Sequence, residues 1–306
     1  MKSFYDQEQR CSERFALAGD FWHLWTPESY ELIFTDETDF KAAMFVIGFA
    51  VASHPCVRLV TFQVMSNHFH FTMCGNEEQV LACFGQTHAL LSKYFDKIGR
   101  KGILKNLQCK HRIILSLQDA RNVVVYNNRN GYLVHPEYSP FSFPWGANSF
   151  YYSPFAMKYY EACKQPFTAR ERRSIICSHA ADNINSIMKL DGIAAPPSFC
   201  DIALGESLFR DSSHYFHLIS RSIESQKEIA NMIGESIFYT DDELFRMLSS
   251  TCKNNYKQAV PSLIPSDAKI EMARMLRYDY NASDKQIIRM LKVDSSVLAQ
   301  FVSPRA

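Results

Sequence analysis

The chain has 306 residues, of which 47% are hydrophobic and 13% aromatic, a composition that excludes intrinsic disorder and leaves room for about two domains. A net charge of +1 excludes an overall basic field, so nucleic-acid contact has to come from local patches. Nine cysteines lack Cys-x-x-Cys spacing, no leader is visible, and the nearest approach to a membrane span (42–51) is short and contains Gly48; these features predict reduced core thiols in a cytoplasmic protein with no membrane partner.

Residues 1–14 are polar and mixed and read as a loose lead-in. Phe21-Trp22-His23-Leu24-Trp25-Thr26 is aromatic-rich and predicts a strand, followed by a turn at 27–30 and resumed extended chain at 31–34. Phe40, Met44, Ile47 and Val51 fall on one helical face, predicting a helix over 39–53 that ends at His54-Pro55. A β-branched strand over 57–64, a tight connection at Met65-Ser66-Asn67 and a returning strand over 68–73 form a hairpin. Val80, Cys83, Phe84, Leu90, Leu91, Tyr94 and Phe95 make 77–98 an amphipathic helix. Gly99-Arg100-Lys101-Gly102 is a basic turn, and 103–117, with Lys105, Lys110, His111 and Arg112, predicts a strand pair or an ordered loop. A second helix over 117–130 is expected to stop at Gly131. The Pro-, Ser- and aromatic-rich segment 136–155 closes a first domain, 1–155.

From 156 to 260 strand signals are few, and 170–190 and 217–233 read as helical, with no role assigned. The last region, 261–306, is more regular. A helix over 267–277, a capping box from Ser283 to Gln286 opening a helix through Leu291, a turn at Lys292-Val293-Asp294 and a helix over 295–301 predict a helix-turn-helix. In such a module the last helix enters a DNA groove, although this one carries no basic residue; a plain trihelical bundle fits the same pattern.

The chemistry concentrates at Val64-Met65-Ser66-Asn67-His68-Phe69-His70-Phe71-Thr72-Met73. Strand alternation puts His68 and His70 on one face and Phe69 and Phe71 on the other. Two imidazoles on one face can share a metal ion. Further on, Tyr126 and Asn130 stand four apart on a predicted helix and share a face. A tyrosine hydroxyl can attack a phosphodiester that a metal polarises, and His68, His70 and Asn130 would supply ligands. The other reading of Tyr126 is a half-buried packing residue.

These stretches together resemble the HUH single-tyrosine transposase family, closest to the REP-associated tyrosine transposases. The resemblance spans roughly residues 15–155 and is carried by Val64-Met65-Ser66-Asn67-His68-Phe69-His70, by Trp22 to Thr26, by Tyr126 with Asn130, and by Phe143-Pro144-Trp145. The chain departs from the family after Asn130, and a competing alignment puts Asn127 on the family asparagine and Val123 at the tyrosine, which makes the protein catalytically dead. The resemblance implies an α+β core, an antiparallel sheet with the histidines on a central strand and helices on one face (an HUH, ferredoxin-like palm), followed by an all-α C-terminal region. It implies Mg²⁺ or Mn²⁺ held by His68, His70 and Asn130, and single-stranded DNA with hairpin structure as partner. Tyr126 would keep the 5′ phosphate in a covalent intermediate, with Tyr132 the next candidate. Arg100, Lys101, Lys105, Lys110, Arg112 and Arg129 are the expected backbone contacts, or else a solvated charged face. A monomer or homodimer is compatible with it. The rival functions are a catalytically inactive, domesticated DNA-binding regulator on the same core, and a metal-dependent RNA-processing or hydrolytic enzyme.

Overall fold

β-branched and aromatic runs make the strands against which the rest of the first half packs. The computed structural model describes residues 4–26, 32–105, 107–134, 141–220, 241–278, 280 and 282–301. The chain divides into two compact units, Met1–Tyr132 with Tyr138–Arg221, and Leu133–Glu137 with Ser222–Ala306. The expected turn at 27–30 and part of the helix expected over 217–233 lie outside the described residues.

In the first unit, α1 (Phe4–Ala18), β1 (Phe21–Trp25), α2 (Glu37–Ala52), β2 (Arg58–Val64), β3 (Phe69–Cys74), α3 (Glu77–Lys97), β4 (Lys110–Ile114) and α4 (Leu117–Val134) follow in order. The four strands form one antiparallel sheet in the order β2-β3-β1-β4. Central strand β3 is buried throughout, while β4, at an edge, is largely exposed. Asp36 starts α2 by accepting from Thr38 N and Asp39 N at 2.8 and 3.0 Å, and Asn76 does the same for α3 through Glu78 N.

One expected element is corrected here. The polar lead-in is a helix, because a narrow stripe suffices to hold it: Cys11 is buried and Phe15 stacks on Phe21 at 5.0 Å. Residues 32–34, expected as extended chain, pair with no strand among the described residues; Ile33 and Phe34 donate their amides to the Ser66 carbonyl and brace the β2–β3 turn.

The two faces of the sheet differ in chemistry. One face is aromatic: Phe69 and Phe71 meet Phe84 of α3 at 5.4 and 5.6 Å, and Phe62 meets Phe199, which lies over Gly48 of α2. The other face carries Thr61, Gln63, His70, Thr72, His23 and Trp25, and α4 lies across it. Helices therefore cover both faces, not one. A buried face with threonines and histidines demands partners, and the asparagines of α4 are the helix side chains that supply them. The helix also continues through Gly131 to Val134 rather than stopping there.

Beyond Trp145, whose carbonyl receives Val64 N at 2.8 Å, the chain runs along the outer edge of β2. Gly146 is required there, since a Cβ would meet the Phe62 carbonyl at 2.9 Å. Next come α5 (Pro154–Cys163), β5 (Gln165–Pro166), α6 (Ala169–Ile176), β6 (Met188–Leu190), β7 (Ile193–Ala194), α7 (Ile202–Ser207) and α8 (Ser212–Ile219). The long helix expected over 170–190 is cut to α6, which ends at left-handed Cys177 (φ 57°). Strands β5, β6 and β7 form a second, three-stranded sheet, closed by Asp191 and Gly192 with φ of 51° and 81°. That is the backbone of a two-residue hairpin, for which Asp-Gly is a preferred pair.

The second unit is helical: α9 (Asp241–Tyr256), α10 (Ser266–Tyr278), α11 (Asp284–Leu291) and α12 (Ser295–Phe301). The capping box forms, with Ser283 N donating to Gln286 Oε1 at 3.0 Å. Met272, Leu276, Ile287, Leu291 and Leu298 are buried. Among the described residues no helix is long and apolar enough to cross a membrane. All cysteines are free thiols, but Cys56, Cys163 and Cys177 are exposed, so they are not all core residues.

Packing behind β2 gives a direct test. Tyr151 is buried and donates its hydroxyl to the Val60 carbonyl at 2.7 Å, and a methyl at Gly205 would come within 2.7 Å of its Cζ. Gly205→Ala is expected to cost about 1–3 kcal/mol, or roughly 2–4 °C of Tm per kcal/mol, in a calorimetric melt. Gly85→Ala, on an exposed helical position with open space around it, should leave Tm unchanged or raise it.

Candidate active site

The site begins with the turn that delivers the histidines. Met65 N donates to the His68 carbonyl at 2.8 Å, and Phe69 N donates to Thr26 Oγ1 at 3.1 Å. These bonds fix the start of β3, so His68 and His70 emerge on the same face as expected. Their ring centroids are 4.7 Å apart with the planes at 83°. His68 Nδ1 lies 2.7 Å from Asn67 Oδ1; with the proton on Nδ1 donated to that oxygen, Nε2 keeps its lone pair.

Tyr126 reaches this pair from α4. Its ring meets His70 edge to face, centroids 5.7 Å apart at 90°. Both are buried, Tyr126 at 4% exposure and His70 at 1%. The structure thus puts Tyr126 against His70 and His70 against His68. Val123, the tyrosine position in the competing alignment, is buried on the same helix. Asn127, the asparagine of that alignment, donates Nδ2 to Thr72 Oγ1 at 2.9 Å. The side chains of Asn130 and Tyr132 lie outside the described residues; the backbone of both is helical.

A third imidazole joins the group. His23 is fully buried, stacks on His70 at 5.9 Å (14°) and on Trp25 at 4.8 Å (22°). Sequence reasoning placed His23 only in the first strand. Alternation puts it on the same face as Trp25, and Trp25 pairs with His70 once β1 lies beside β3. The missing piece was the strand order.

Tested against a metal, the described donors fit in part. Two adjacent imidazoles suit one dication, and imidazole favours Mn²⁺ over Mg²⁺. Among the described residues no group of three or more His, Cys, Asp and Glu side chains is placed to hold an ion.

The expected DNA contacts separate into two kinds. Lys101, Lys105 and Lys110 are exposed. Arg100 instead donates to the Asp39 carboxylate at 2.6 Å and to the Ile33 carbonyl at 2.7 Å, with its guanidinium over the Phe95 ring. Arg112 makes a two-pronged pair with Asp119, both bonds 2.7 Å, and Arg129 is buried.

Helix α4 itself is anchored at its N-terminal half. Buried Arg121 donates to both Glu8 carboxylate oxygens at 2.6 and 3.0 Å and to the Leu208 carbonyl at 2.6 Å. No protein-family model, no curated protein and no solved structure matches the chain, so its geometry carries the functional reading.

The anchor makes a pH prediction. The hydrogen bond from Arg121 holds the Glu8 carboxyl below its usual value of 4.5. A lowered carboxyl contributes stability that is complete above about pH 4.5 and is lost as pH falls through the folded value. Glu8 is partly exposed, so the contribution is on the order of 1 kcal/mol or less. The wild type should melt above Glu8→Gln at pH 7, and the gap should close in acid; a gap independent of pH would contradict the assignment.

Proposed function

We propose that the chain cleaves and rejoins single-stranded DNA through a phosphotyrosine on Tyr126, as a metal-dependent strand transferase of the HUH single-tyrosine kind. The observation that carries this reading is the edge-to-face contact of Tyr126 with His70, beside His68, on the polar face of a central strand. A tyrosine from a separate helix packs against one member of a His-x-His pair, which alternation alone does not require.

In this reading His68 and His70 hold the dication, with Asn130 as the amide ligand. When bound, the ion supplies Lewis-acid stabilisation of the charge that builds on the phosphate in the transition state. The Tyr126 oxygen attacks phosphorus in line; its proton is lost, the bond to the 3′ oxygen breaks, and that oxygen takes up a proton as a free hydroxyl. The phosphate stays esterified to the phenol. Rejoining is the reverse, with a 3′ hydroxyl displacing Tyr126, so no nucleotide cofactor is consumed. Exposed Lys101, Lys105 and Lys110 are the backbone contacts.

The burial of Tyr126 and His70 favours a second reading, an inactive DNA-binding regulator on the same core. For catalysis the side chains over the site have to move aside to admit a strand. A covalent-adduct assay separates the two. Protein is incubated with labelled single-stranded DNA from the flanks of its own gene and Mn²⁺, then denatured. The enzyme reading predicts a denaturation-resistant band that Tyr126→Phe abolishes and that His68→Ala or His70→Ala lowers about 10²-fold or more. A band that survives Tyr126→Phe moves the nucleophile, with Tyr132 next. Absence of any band together with absence of Mn²⁺ binding by calorimetry would leave the regulator.

A further inference from the structure

The second unit carries a charge pattern that the helix-turn-helix expectation did not place. Helix α11 is sharply two-sided. Ile287, Met290 and Leu291 point into the unit and are buried, while Lys285, Arg289 and Lys292 are exposed on the opposite side. Spacings of four and three put those three cations in one row. The row is about 10 Å long at 1.5 Å per residue. With Ile288, Val293 and Asp294 it lines one open groove.

The last helix, expected to enter DNA, offers no such charge: its exposed residues include Ser295, Ser296 and Ala299. Asp294 caps α12, accepting from Ser296 N at 2.8 Å and from Ser296 Oγ, and Asp284 pairs with Arg277. Three cations against the one lining carboxylate leave the groove basic among the described residues, in a chain whose net charge is +1. Lys292 holds the C-cap of α11 at φ 51°, a left-handed conformation that favours glycine, and a lysine stands there instead.

We infer that the outer face of α11 grips the phosphate backbone of duplex DNA, with Lys285, Arg289 and Lys292 on successive phosphates of one strand. A row about 10 Å long covers roughly three base-pair rises of 3.4 Å. The contact is electrostatic and reads no bases, so it places the second unit on a duplex without choosing its sequence. That the duplex is DNA rests on the strand-transferase reading; the phosphate contact itself rests only on the groove.

The test is duplex binding by the full chain as a function of salt, with a labelled DNA duplex of arbitrary sequence. Three phosphate contacts predict a slope of log K against log salt of about −2.7. The double variant Lys285→Gln/Lys292→Gly removes two charges, and glycine suits the left-handed cap, so loss of folding does not confound it. Its slope should fall to about −0.9, with binding on the order of sixty-fold weaker at 0.1 M salt. Formation of the Tyr126 adduct on single-stranded DNA should be unchanged in the same variant, which keeps failure of this inference apart from failure of the enzyme reading. Three results would overturn it: no duplex binding by the wild type at low salt, a variant with the wild-type slope and affinity, or binding to anionic phospholipid vesicles or duplex RNA in preference to duplex DNA.

Discussion

Two asparagines of α4 are hydrogen-bonded to two threonines of the sheet in the interior of the first unit, and the rotation of that helix depends on them. Asn127 donates to Thr72 on β3 at 2.9 Å, and Asn128 accepts from Thr61 on β2. All four side chains are buried. Asn128 also donates to the Tyr215 hydroxyl at 2.8 Å, which in turn donates to Asn148, so α8 and the chain after Trp145 are tied to the same point. Each bond left unmade there would cost about 1–3 kcal/mol of desolvation. Turning the helix by one residue would strand several at once. With the rotation fixed, the residue before Asn127 has one place to go, which is against His70.

The same contact explains the asymmetry of the sheet. The aromatic face is held by area and shape, with Phe84 of α3 wedged between Phe69 and Phe71. The polar face is held by a short set of directional bonds. Directional bonds hold position better than apolar contacts do, and they keep Tyr126 against His70. Arg121 with Glu8 and Arg112 with Asp119 repeat the arrangement nearer the start of α4.

Much of this was legible in the residues. His68 and His70 share a face because β3 is regular, and period two needs nothing more. The capping box at Ser283 and the α11–α12 turn at Lys292-Val293-Asp294 stand where local rules put them. What failed needed knowledge beyond a local window. The face that α4 covers is a matter of topology, and so helices on one face became helices on both. His23 joins His70 only because β1 lies beside β3. Arg100 looked like a free basic residue in a glycine turn, yet Asp39, sixty-one residues earlier in the chain, claims it. The Asp191-Gly192 hairpin is a different case: its signal is local and strong, but it follows directly on the stretch 170–190 that reads as helix, which hid strand β6. The burial of Tyr126 answers only to the packing reading of that residue, and its depth had no local signal.

The central claim is that α4 lays Tyr126 beside a metal-competent pair of imidazoles, and the most direct measurement of it is paramagnetic broadening. NMR spectra of the full chain, labelled at histidine and tyrosine, would be recorded as Mn²⁺ is added in substoichiometric amounts. Broadening confined to His68, His70, neighbouring His23 and Tyr126 is the predicted result, because broadening falls off steeply with distance from the ion. Broadening of exposed histidines such as His179 with the buried set untouched would contradict it, and so would sharp signals throughout.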